Sequence, residues 1–364
     1  MIRTTRAHFN VDAQTHPGMT GKNNEDRYAV ASFLLDKKDR TPVLFAVLAD
    51  GIGGHRAGEV AAELAVNHIM QAVAHSDGRH IRDTIEEAVI EASDAIAAHS
   101  ESNPNLKGMG ATCAIAWIVG DRLHTAYVGD SRIYLMRGGR IQQLTVDHSW
   151  VQEAIDRGVL TPEAARMHPN VHVIRRYLGS PNPPEPDFRL KLFDDEGNQN
   201  AENNQGLQLL PSDVLLLCSD GLTDLVWNDE ILEVVRSKPS LKEATRALIE
   251  LANARGGHDN TTVILLSVPA GYKFVPKKSV NWGPWVIGGI AASVLLLAVG
   301  SVFAMGLWRL RTGATSTPTL TQTSTATARP AATLTPLPTM TILPTLSLPI
   351  APTYTPWPTN TVRP

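Results

Sequence analysis

The alternation of hydrophobic and polar positions divides the first 268 residues into short strands and longer helices. Apolar or alternating runs, bounded by glycine, asparagine or aspartate, predict β-strands. The predicted strands span residues 28–35, 42–49, 111–119, 123–128, 132–137, 140–144, 188–193, 214–218 and 261–268. Apolar positions three and four residues apart predict helices over residues 57–74, 81–100, 148–157, 162–167, 229–237 and 241–255. Residues 194–206, acidic and rich in asparagine, are predicted to form a surface loop.

The order of these elements predicts the fold class. Strands follow one another as in a meander, whereas the helices come in pairs rather than after every strand. A doubly wound parallel fold would alternate strand and helix throughout. The pattern therefore predicts an α+β fold with antiparallel sheets.

Composition excludes some classes of function. The 364 residues carry a net charge of −3 and form no basic stripe, so nothing in the sequence favours nucleic-acid binding. The two cysteines, Cys113 and Cys218, lie in apolar runs without the spacing of a disulfide framework. They indicate buried thiols in a reducing compartment, although a disulfide between them stays open as an alternative.

A long uncharged segment follows the globular part of the chain. Residues 279–308 carry no formal charge, and residues 284–308 are long enough to span a hydrocarbon layer of about 30 Å. Tryptophans stand near both ends, as interfacial anchors do. A buried core helix fits less well, because a complete domain precedes the segment. We therefore predict a domain at residues 1–268, a juxtamembrane linker at 269–283 and a transmembrane helix at 284–308.

The flanking charges predict how this helix is oriented. Three lysines precede it within the linker, two arginines follow it, and no apolar signal segment opens the chain. This bias predicts a single-pass protein of the cell membrane with a cytoplasmic domain and an extracytoplasmic tail. The tail, residues 309–364, is rich in threonine and proline and has no acidic residue, so it is predicted to be disordered. It is either an extracytoplasmic spacer or a leftover without function.

Acidic residues recur where the predicted strands begin or end, and two of them are followed by glycine. These acids are Glu25, Asp26, Asp50, Asp130, Asp220 and Asp259. Like charges that meet at one end of a sheet repel by several kcal/mol unless cations neutralise them. Oxygen ligands without a cysteine or histidine cluster favour Mg²⁺ or Mn²⁺ over Zn²⁺. The pattern predicts a site for two divalent ions.

Each of these acids, taken singly, also has a structural explanation. Asp50 and Asp130 could cap turns, and Asp147 could cap the helix predicted from residue 148. Asp259 could pair with Arg255. The set is harder to explain in this way than its members. Five histidines lack metal-ligand spacing and are assigned no catalytic role: His124, His148, His168, His172 and His258.

Seven short motifs, in this order along the chain, resemble one protein family. They are Asn-Asn-Glu-Asp (23–26), Asp-Gly-Ile-Gly-Gly-His (50–55), Gly-Met-Gly-Ala-Thr (108–112), Gly-Asp-Ser-Arg (129–132), Asp-His-Ser (147–149), Ser-Asp-Gly-Leu (219–222) and Asp-Asn-Thr-Thr (259–262). Over about residues 8–268 the sequence resembles the metal-dependent type 2C serine/threonine protein phosphatases, bacterial branch. Any one motif would be weak, but seven in order are specific.

The resemblance implies a fold and an activity. The fold would be a sandwich of two antiparallel β-sheets flanked by helix pairs, in four layers αββα. The activity would be hydrolysis of phosphoserine and phosphothreonine in proteins through a bimetal-activated water. Partners would be phosphorylated proteins, with a serine/threonine kinase and its substrates among them. Residues 151–178 are similar to the family's flap beside the active site.

The resemblance also implies the ligands of two Mg²⁺ or Mn²⁺ ions. Asp50 would bridge both ions. Glu25 and the carbonyl of Gly51 would hold one ion, and Asp220 and Asp259 would hold the other.

Two further acids match family positions, and two positions depart from the family pattern. Asp130, with Asp220, matches the place of a third, weaker metal, and Asp26 matches a carboxylate that orients metal-bound water. Asp50 and Asp26 are thus the candidate catalytic residues. Gly21 stands where the family usually has a phosphate-gripping arginine, so Lys22, Arg27 or an arginine from elsewhere would have to substitute.

The second departure is Ile52, which replaces the histidine proposed as a general acid in eukaryotic members. Leaving-group protonation would then fall to water. His55 is assigned a structural role at the start of a helix. The rival to an active enzyme is a phosphoprotein-binding pseudophosphatase, in which Gly21 marks lost turnover.

Other phosphoryl chemistries lack their residues. A cysteine phosphatase needs an arginine shortly after its cysteine, but Val119 and Asp224 stand at those places after Cys113 and Cys218. No phosphate-binding loop of the Gly-x-x-x-x-Gly-Lys type and no kinase signature occurs, so phosphoryl transfer from ATP is not supported.

Overall fold

The computed structural model describes residues 1–53, 57–182 and 184–273. The strands are β1 (Ile2–Thr4), β2 (Asn10–His16), β3 (Arg27–Leu34), β4 (Pro42–Ala49), β5 (Gly51–Ile52), β6 (Gly110–Ala111), β7 (Cys113–Val119), β8 (Arg122–Val128), β9 (Arg132–Arg137), β10 (Arg140–Gln143), β11 (Leu207–Gln208), β12 (Val214–Cys218) and β13 (Thr261–Ser267). The α-helices are α1 (Ala57–His75), α2 (Ile81–Ser102), α3 (Trp150–Asp156), α4 (Pro162–Arg166), α5 (Asn198–Asn203), α6 (Asp220–Thr223), α7 (Asn228–Ser237) and α8 (Leu241–Ala254).

The strands form two large antiparallel sheets and one short ribbon. The first sheet has the order β1-β3-β4-β7-β8-β11, and the second has the order β10-β9-β12-β13-β2. The ribbon joins β5 to β6. Every pairing between these strands is antiparallel, as the meander order predicted.

Three apolar cores separate four layers. Because alternate residues of a strand face opposite sides, Phe45 of β4 packs in the core under α1 and α2, whereas its neighbour Leu44 packs between the two sheets. On the far side, Leu216 of β12 packs in a third core with Leu248 of α8. The arrangement is a four-layer αββα sandwich, so the predicted α+β fold is confirmed.

The strand registers bring the acidic loops to one end of the sandwich. Leu48, near the end of β4, pairs with Ala114 near the start of β7. In the second sheet, Cys218 at the end of β12 pairs with residues near the starts of both β9 and β13. The loops that follow β4, β8 and β12, and those that precede β7, β9 and β13, therefore meet at the same end.

Two predictions between residues 188 and 206 are wrong. Residues 188–193 form no strand: Leu190 is buried between the sheets, but its amide bonds to the carbonyl of Ala201 rather than to a strand. Residues 194–206 include the short helix α5, which covers this segment, instead of being only loop. The alternation of apolar residues thus reflected burial against the sandwich and not a sheet pairing.

The predictions for the C-terminal part fall outside the described residues. These are the transmembrane helix at 284–308 and the tail at 309–364, together with most of the linker. No helix among residues 1–53, 57–182 and 184–273 has the length and apolarity needed to cross a membrane. His55 also lies outside the described residues, so its predicted role is untested.

Candidate metal centre

Asp50 is fixed at the end of β4 by a reciprocal backbone link to Thr112. The Asp50 amide donates to Thr112 Oγ1 at 3.0 Å, and the Thr112 amide donates to the Asp50 carbonyl at 2.8 Å. The same threonine hydroxyl contacts Ser131 Oγ at 2.7 Å. Thr112 therefore lies between β6 and β7 and interrupts the single strand that was predicted over residues 111–119. Its contacts tie the Asp50 backbone to the link before β7 and to the loop before β9.

Glycines allow Glu25 to approach the loop after Asp50. A Cβ on Gly58, in the first turn of α1, would overlap the Glu25 carboxylate and lie 2.7 Å from the Gly51 carbonyl. A Cβ on Gly51 would overlap the Gly58 carbonyl. The start of α1, where unpaired amides carry positive partial charge, thus lies against an acidic side chain, which is a favourable placement.

Asp26 is buried and only half satisfied. Its Oδ2 accepts hydrogen bonds from Ser219 Oγ at 2.8 Å and from Thr262 Oγ1 at 2.6 Å. Its Oδ1 is buried without a partner among the described residues. The hydroxyls from β13 and from the residue after β12 therefore hold one oxygen in place and leave the other free for a ligand.

Asp220 and Asp259 come from the two loops that flank the β12–β13 pair. Asp220 begins the short helix α6 directly after β12, and its Oδ1 is buried without a partner in the described chain. Asp259 accepts a hydrogen bond from the amide of Asn260 at 2.9 Å. Gly221 lets these loops meet, because a Cβ there would overlap the Asn260 carbonyl.

Asn260 joins three parts of the centre, and the sequence analysis assigned it no role. Its side-chain amide donates to the carbonyls of Pro17 and Asn23 at 3.1 and 3.0 Å, and its Oδ1 accepts from the Glu25 amide at 2.6 Å. One buried side chain thus holds the loop of Glu25 beside Asp259. The sequence contained one indication of this role, because Asn260 directly follows Asp259 and precedes the strand predicted from residue 261.

Asp130 is buried in a turn that a histidine supports. The Gly129 amide donates to His148 Nδ1 at 3.1 Å, and the His148 amide donates to the Gly129 carbonyl at 2.9 Å. His148 Nε2 in turn lies 3.1 Å from Asp187 Oδ2, so this ring is structural, as the sequence indicated.

For Asp147 and Asp259, the structure does not contain the helix cap and the ion pair that the sequence allowed. Asp147 pairs with Arg132 at 2.6 Å, and Ser149 rather than Asp147 caps α3. Arg255 pairs with Glu230 at 2.5 Å instead of with Asp259. These acids are therefore not explained by the helix cap and the ion pair that the sequence allowed.

Burial and mutual repulsion raise the pKa values of this cluster. Burial raises the pKa of Asp50 well above its usual range, and four neighbouring carboxylates add to the effect. Those neighbours are Asp26, Asp220, Asp130 and Asp259. Burial and then the charge of Asp130 likewise raise the pKa of Asp220. The predicted acids therefore interact with one another.

The remaining acids respond to the same causes. Burial and then the charge of Asp259 raise the pKa of Glu25 to about 7. Burial raises the pKa of Asp26 to about 6 against the opposing hydrogen bonds from Thr262 and Ser219. Burial and the charge of Asp147 raise the pKa of Asp130 to about 7.

Two residues that were not predicted join the cluster at its Asp220 side. His172 Nδ1 lies 3.4 Å from Asp224 Oδ2, and one ligand atom from each of His172, Asp220 and Asp224 lies within 4.8 Å of the others. Asp224 follows Asp220 by about one helical turn, so the sequence did indicate that these two side chains lie close together. His172 belongs to the flap segment, residues 151–178, and nothing in its local sequence indicated this contact.

A cleft of about 830 Å³ opens beside the cluster. The flap segment lines one side through α3 and α4, and the residues around α6 and the start of α7 line the other. Arg166 of α4 bridges the two sides, because it donates to the carbonyls of Thr223 and Asp224 at 2.8 and 3.0 Å and stacks on Trp227. Asp259 and Gly221 also line the cleft, which therefore reaches the cluster.

Neither cysteine offers a reactive thiol. Cys113 and Cys218 are fully buried and free, and burial raises the pKa of each thiol to about 12. A thiolate nucleophile is therefore not available at neutral pH.

Comparisons with known proteins agree with this geometry. The family model described as protein phosphatase 2C matches residues 15–261. The serine/threonine phosphatase stp of Listeria monocytogenes is 35% identical over 262 residues, which cover 71% of this chain and 95% of that protein.

Solved structures show the same likeness. The serine/threonine phosphatase of S. agalactiae is 35% identical, with a TM-score of 0.62 over 71% of this chain and 99% of that one. The catalytic domain of the phosphatase PstP, solved in complex with two manganese ions, is 34% identical, with a TM-score of 0.58 over 72% of this chain and 98% of that one. The chain therefore belongs to the protein phosphatase 2C family of serine/threonine protein phosphatases.

Proposed function

We propose that this chain is a membrane-anchored protein phosphatase that hydrolyses phosphoserine and phosphothreonine with two bound divalent ions. The observation that supports this most strongly is the pair of buried, unpartnered carboxylate oxygens, Asp26 Oδ1 and Asp220 Oδ1, in the cluster around Asp50. An unsatisfied buried polar group costs about 1–3 kcal/mol, and more when it is charged. Bound cations would remove that cost.

The donor set fits Mg²⁺ or Mn²⁺, because it consists of carboxylate and carbonyl oxygens. Asp50 would bridge the two ions. Glu25 and the Gly51 carbonyl, which Gly58 brings together, would hold one of them. Asp220 and Asp259, from the loops that flank the β12–β13 pair, would hold the other. The manganese ions in the PstP structure support this choice of metal.

A third, weaker position would involve Asp130 and Asp220. Burial keeps the Asp130 carboxyl inside the cluster, and its charge contributes to the raised pKa of Asp220. Asp224 lies on the same side and adds a further carboxylate.

The residues around the two ions would then have distinct roles. Divalent ions at this place supply the Lewis acidity that makes water nucleophilic at neutral pH and neutralises phosphoryl oxygens. Asp26, held by Ser219 and Thr262, would orient water through its free Oδ1. The cleft beside Asp259 would receive the phosphorylated segment of the substrate protein.

The membrane anchor is proposed from the sequence. The uncharged length of residues 284–308 and the excess of lysine before it support a single pass with the domain in the cytoplasm and the tail outside. There the enzyme would reverse the action of a serine/threonine kinase on shared substrates.

The test is phosphate release from a phosphothreonine peptide by the full-length protein with Mn²⁺. Asp50→Asn and Asp220→Asn should each lower the rate by more than about a hundredfold, because even residues behind metal ligands cost roughly 10–100-fold. Asp195→Asn, in an exposed loop, is the matched control and should keep the unaltered rate. Equal rates for all variants would refute the proposal.

The second candidate is a phosphoprotein-binding pseudophosphatase, favoured by Gly21 alone. In that case the protein with Mn²⁺ would bind the phosphopeptide without releasing phosphate. Steady binding with no turnover in the same assay would select this candidate over the enzyme.

A further inference from the structure

Among the described residues, three cationic side chains line the cleft beside the acidic cluster, and each is a candidate to bind the substrate phosphate together with the metal ions. Cations line the cleft at Lys22, Arg132 and Arg166. Acidic residues line it as well, so a free positive charge in the cleft would add to the attraction that the metal ions exert on a phosphate.

The two arginines are already engaged. Arg132 forms a two-pronged ion pair with Asp147, with guanidinium nitrogens 2.6 and 3.0 Å from the carboxylate oxygens. Arg166 donates to the carbonyls of Thr223 and Asp224 and stacks on Trp227. Binding a phosphate through either arginine would require breaking these contacts.

Arg27 is engaged too, although it follows the Asn-Glu-Asp motif directly. Its guanidinium donates to the carbonyls of Asn24 and Asp26 at 2.9 and 2.8 Å and pairs with Glu59. Arg27 therefore ties the loop of Glu25 to α1, and it does not line the cleft. Lys22 and Arg27 were the two residues named above as substitutes for the phosphate-binding arginine, and of these Lys22 remains.

Lys22 lies on a loop that is held at its base and open at its tip. The Met19 amide donates to the Gly257 carbonyl at 2.8 Å, and Asn260 holds Pro17 and Asn23 on either side of the tip. The tip itself, at Gly21 and Lys22, is exposed, and nothing lies within 4 Å of the position that a Cβ on Gly21 would occupy.

The position of Lys22 suits a phosphate-binding role. It lines the cleft together with Asp259 and Gly221. Its positive charge acts on the Glu25 carboxyl in the direction opposite to burial. Among the described residues it forms no ion pair that binding a phosphate would have to break.

We propose that Lys22 is the cation of this chain that binds the substrate phosphate, in place of an arginine at position 21. A lysine is a compact point charge with three rotatable donors, so it would attract the dianion without the fixed fork of a guanidinium. This inference rests on the proposed phosphatase function, because it names the phosphate-binding group of the same site.

The kinetic test compares Lys22→Gln with Lys22→Arg. Loss of a charge-assisted hydrogen bond to phosphate should raise KM for a phosphothreonine peptide about tenfold or more, with a smaller change in kcat. Lys22→Arg should recover most of the loss. Lys238→Gln, an exposed lysine outside the cleft, should keep the unaltered KM.

A second readout is independent of turnover. The full-length protein is acylated with a lysine-selective ester, with and without inorganic phosphate, and the modified lysines are mapped by mass spectrometry. Phosphate should slow modification of Lys22 and leave that of Lys238 unchanged.

The outcomes separate the two proposals. If the unaltered protein releases phosphate but Lys22→Gln keeps its KM and Lys22 is not protected, the assignment of Lys22 is wrong and the phosphatase function stands. The assignment is equally wrong if Arg56→Gln, outside the described residues, raises KM where Lys22→Gln does not. If the unaltered protein releases no phosphate, the proposed function fails and this inference falls with it.

Discussion

Thr262 Oγ1 donates a hydrogen bond of 2.6 Å to Asp26 Oδ2, and both side chains are buried. The threonine in turn contacts Thr15 Oγ1 at 2.7 Å, at the exposed surface of β2. Because the Thr262 hydroxyl donates to the carboxylate, Thr15 is the donor in the second contact. Thr262 and Ser219 hold Asp26 Oδ2, whereas Oδ1 has no donor among the described residues.

Replacing Thr262 by valine should weaken the metal centre without unfolding the protein. Valine has nearly the same shape but cannot donate, so Asp26 loses one of the two bonds that orient it. We expect a loss of roughly 10–100-fold in Mn²⁺ affinity or in kcat, as for other residues that orient metal-site groups. Equilibrium dialysis and phosphate-release kinetics measure both. Thr15→Val, which leaves the Thr262–Asp26 bond intact, should have little effect, and equal effects of the two variants would contradict this role.

Replacing Gly58 by alanine should damage metal binding although alanine favours helices. The new methyl group would overlap the Glu25 carboxylate and crowd the Gly51 carbonyl, which are the two proposed ligands of one ion. In a helix interior the same change otherwise stabilises by about 1 kcal/mol. We therefore expect a lower Mn²⁺ affinity in a protein whose thermal stability without metal changes little. Gly197→Ala, where nothing lies within 4 Å, serves as the control. Unchanged Mn²⁺ affinity in the Gly58 variant would show that Glu25 is not a ligand.

The stability of the metal-free protein should fall as pH rises from 5 to 8. The folded chain raises the pKa of Asp26 to about 6 and those of Glu25 and Asp130 to about 7, so at these pH values it binds more protons than the unfolded chain. The free energy of unfolding then decreases with pH, and the buried Asp26 and Asp130 alone should account for a loss of roughly 4 kcal/mol over this range. Denaturant titrations in EDTA at several pH values measure it.

Saturating Mn²⁺ should remove most of this dependence, because bound cations stabilise the ionised carboxylates. A metal-free protein whose stability is flat from pH 5 to 8 would contradict the picture of a repulsive acidic cluster.

Asp187 should contribute stability of the opposite pH dependence. Burial would raise its pKa, but hydrogen bonds from His148 and Arg189 outweigh burial and hold the pKa well below its usual range. The stabilisation is therefore complete above the unfolded value of 3.8 and is lost as pH falls through the lower folded value. Asp187→Asn should cost about 2 kcal/mol at pH 7, as expected for charge-assisted bonds. The exposed control Asp195→Asn should cost nothing, and equal unfolding free energies would refute the role of Asp187.

The sequence predicted the strands that carry a strong apolar signal and missed those that do not. β4 and β12 are nearly continuous apolar runs, and both have the predicted bounds. β2, by contrast, lies at the edge of its sheet and contains several polar residues, so its pairing with β13 could not be read from the pattern. Residues 188–193 alternate for a different reason, since Leu190 fills the core between the sheets without pairing as a strand.

The acids of the site were predictable because each one ends or precedes an apolar run, and strand registers carry such ends to one place. Their supports were not predictable in the same way. Asn260 bonds to residues more than two hundred positions away, and His172 reaches Asp224 from the flap segment. Neither contact has a local signal, because both depend on how separate loops pack after folding.

Asp50 is proposed to bridge two divalent ions, and electron paramagnetic resonance of the Mn²⁺-loaded full-length protein tests this arrangement. Two Mn²⁺ ions that share a carboxylate are exchange-coupled. We predict a coupled two-manganese signal that grows as the second equivalent is added and disappears in Asp50→Asn. The bridging role of Asp50 would be contradicted if the unaltered protein gave isolated Mn²⁺ signals alone. It would also be contradicted if the coupled signal persisted in Asp50→Asn.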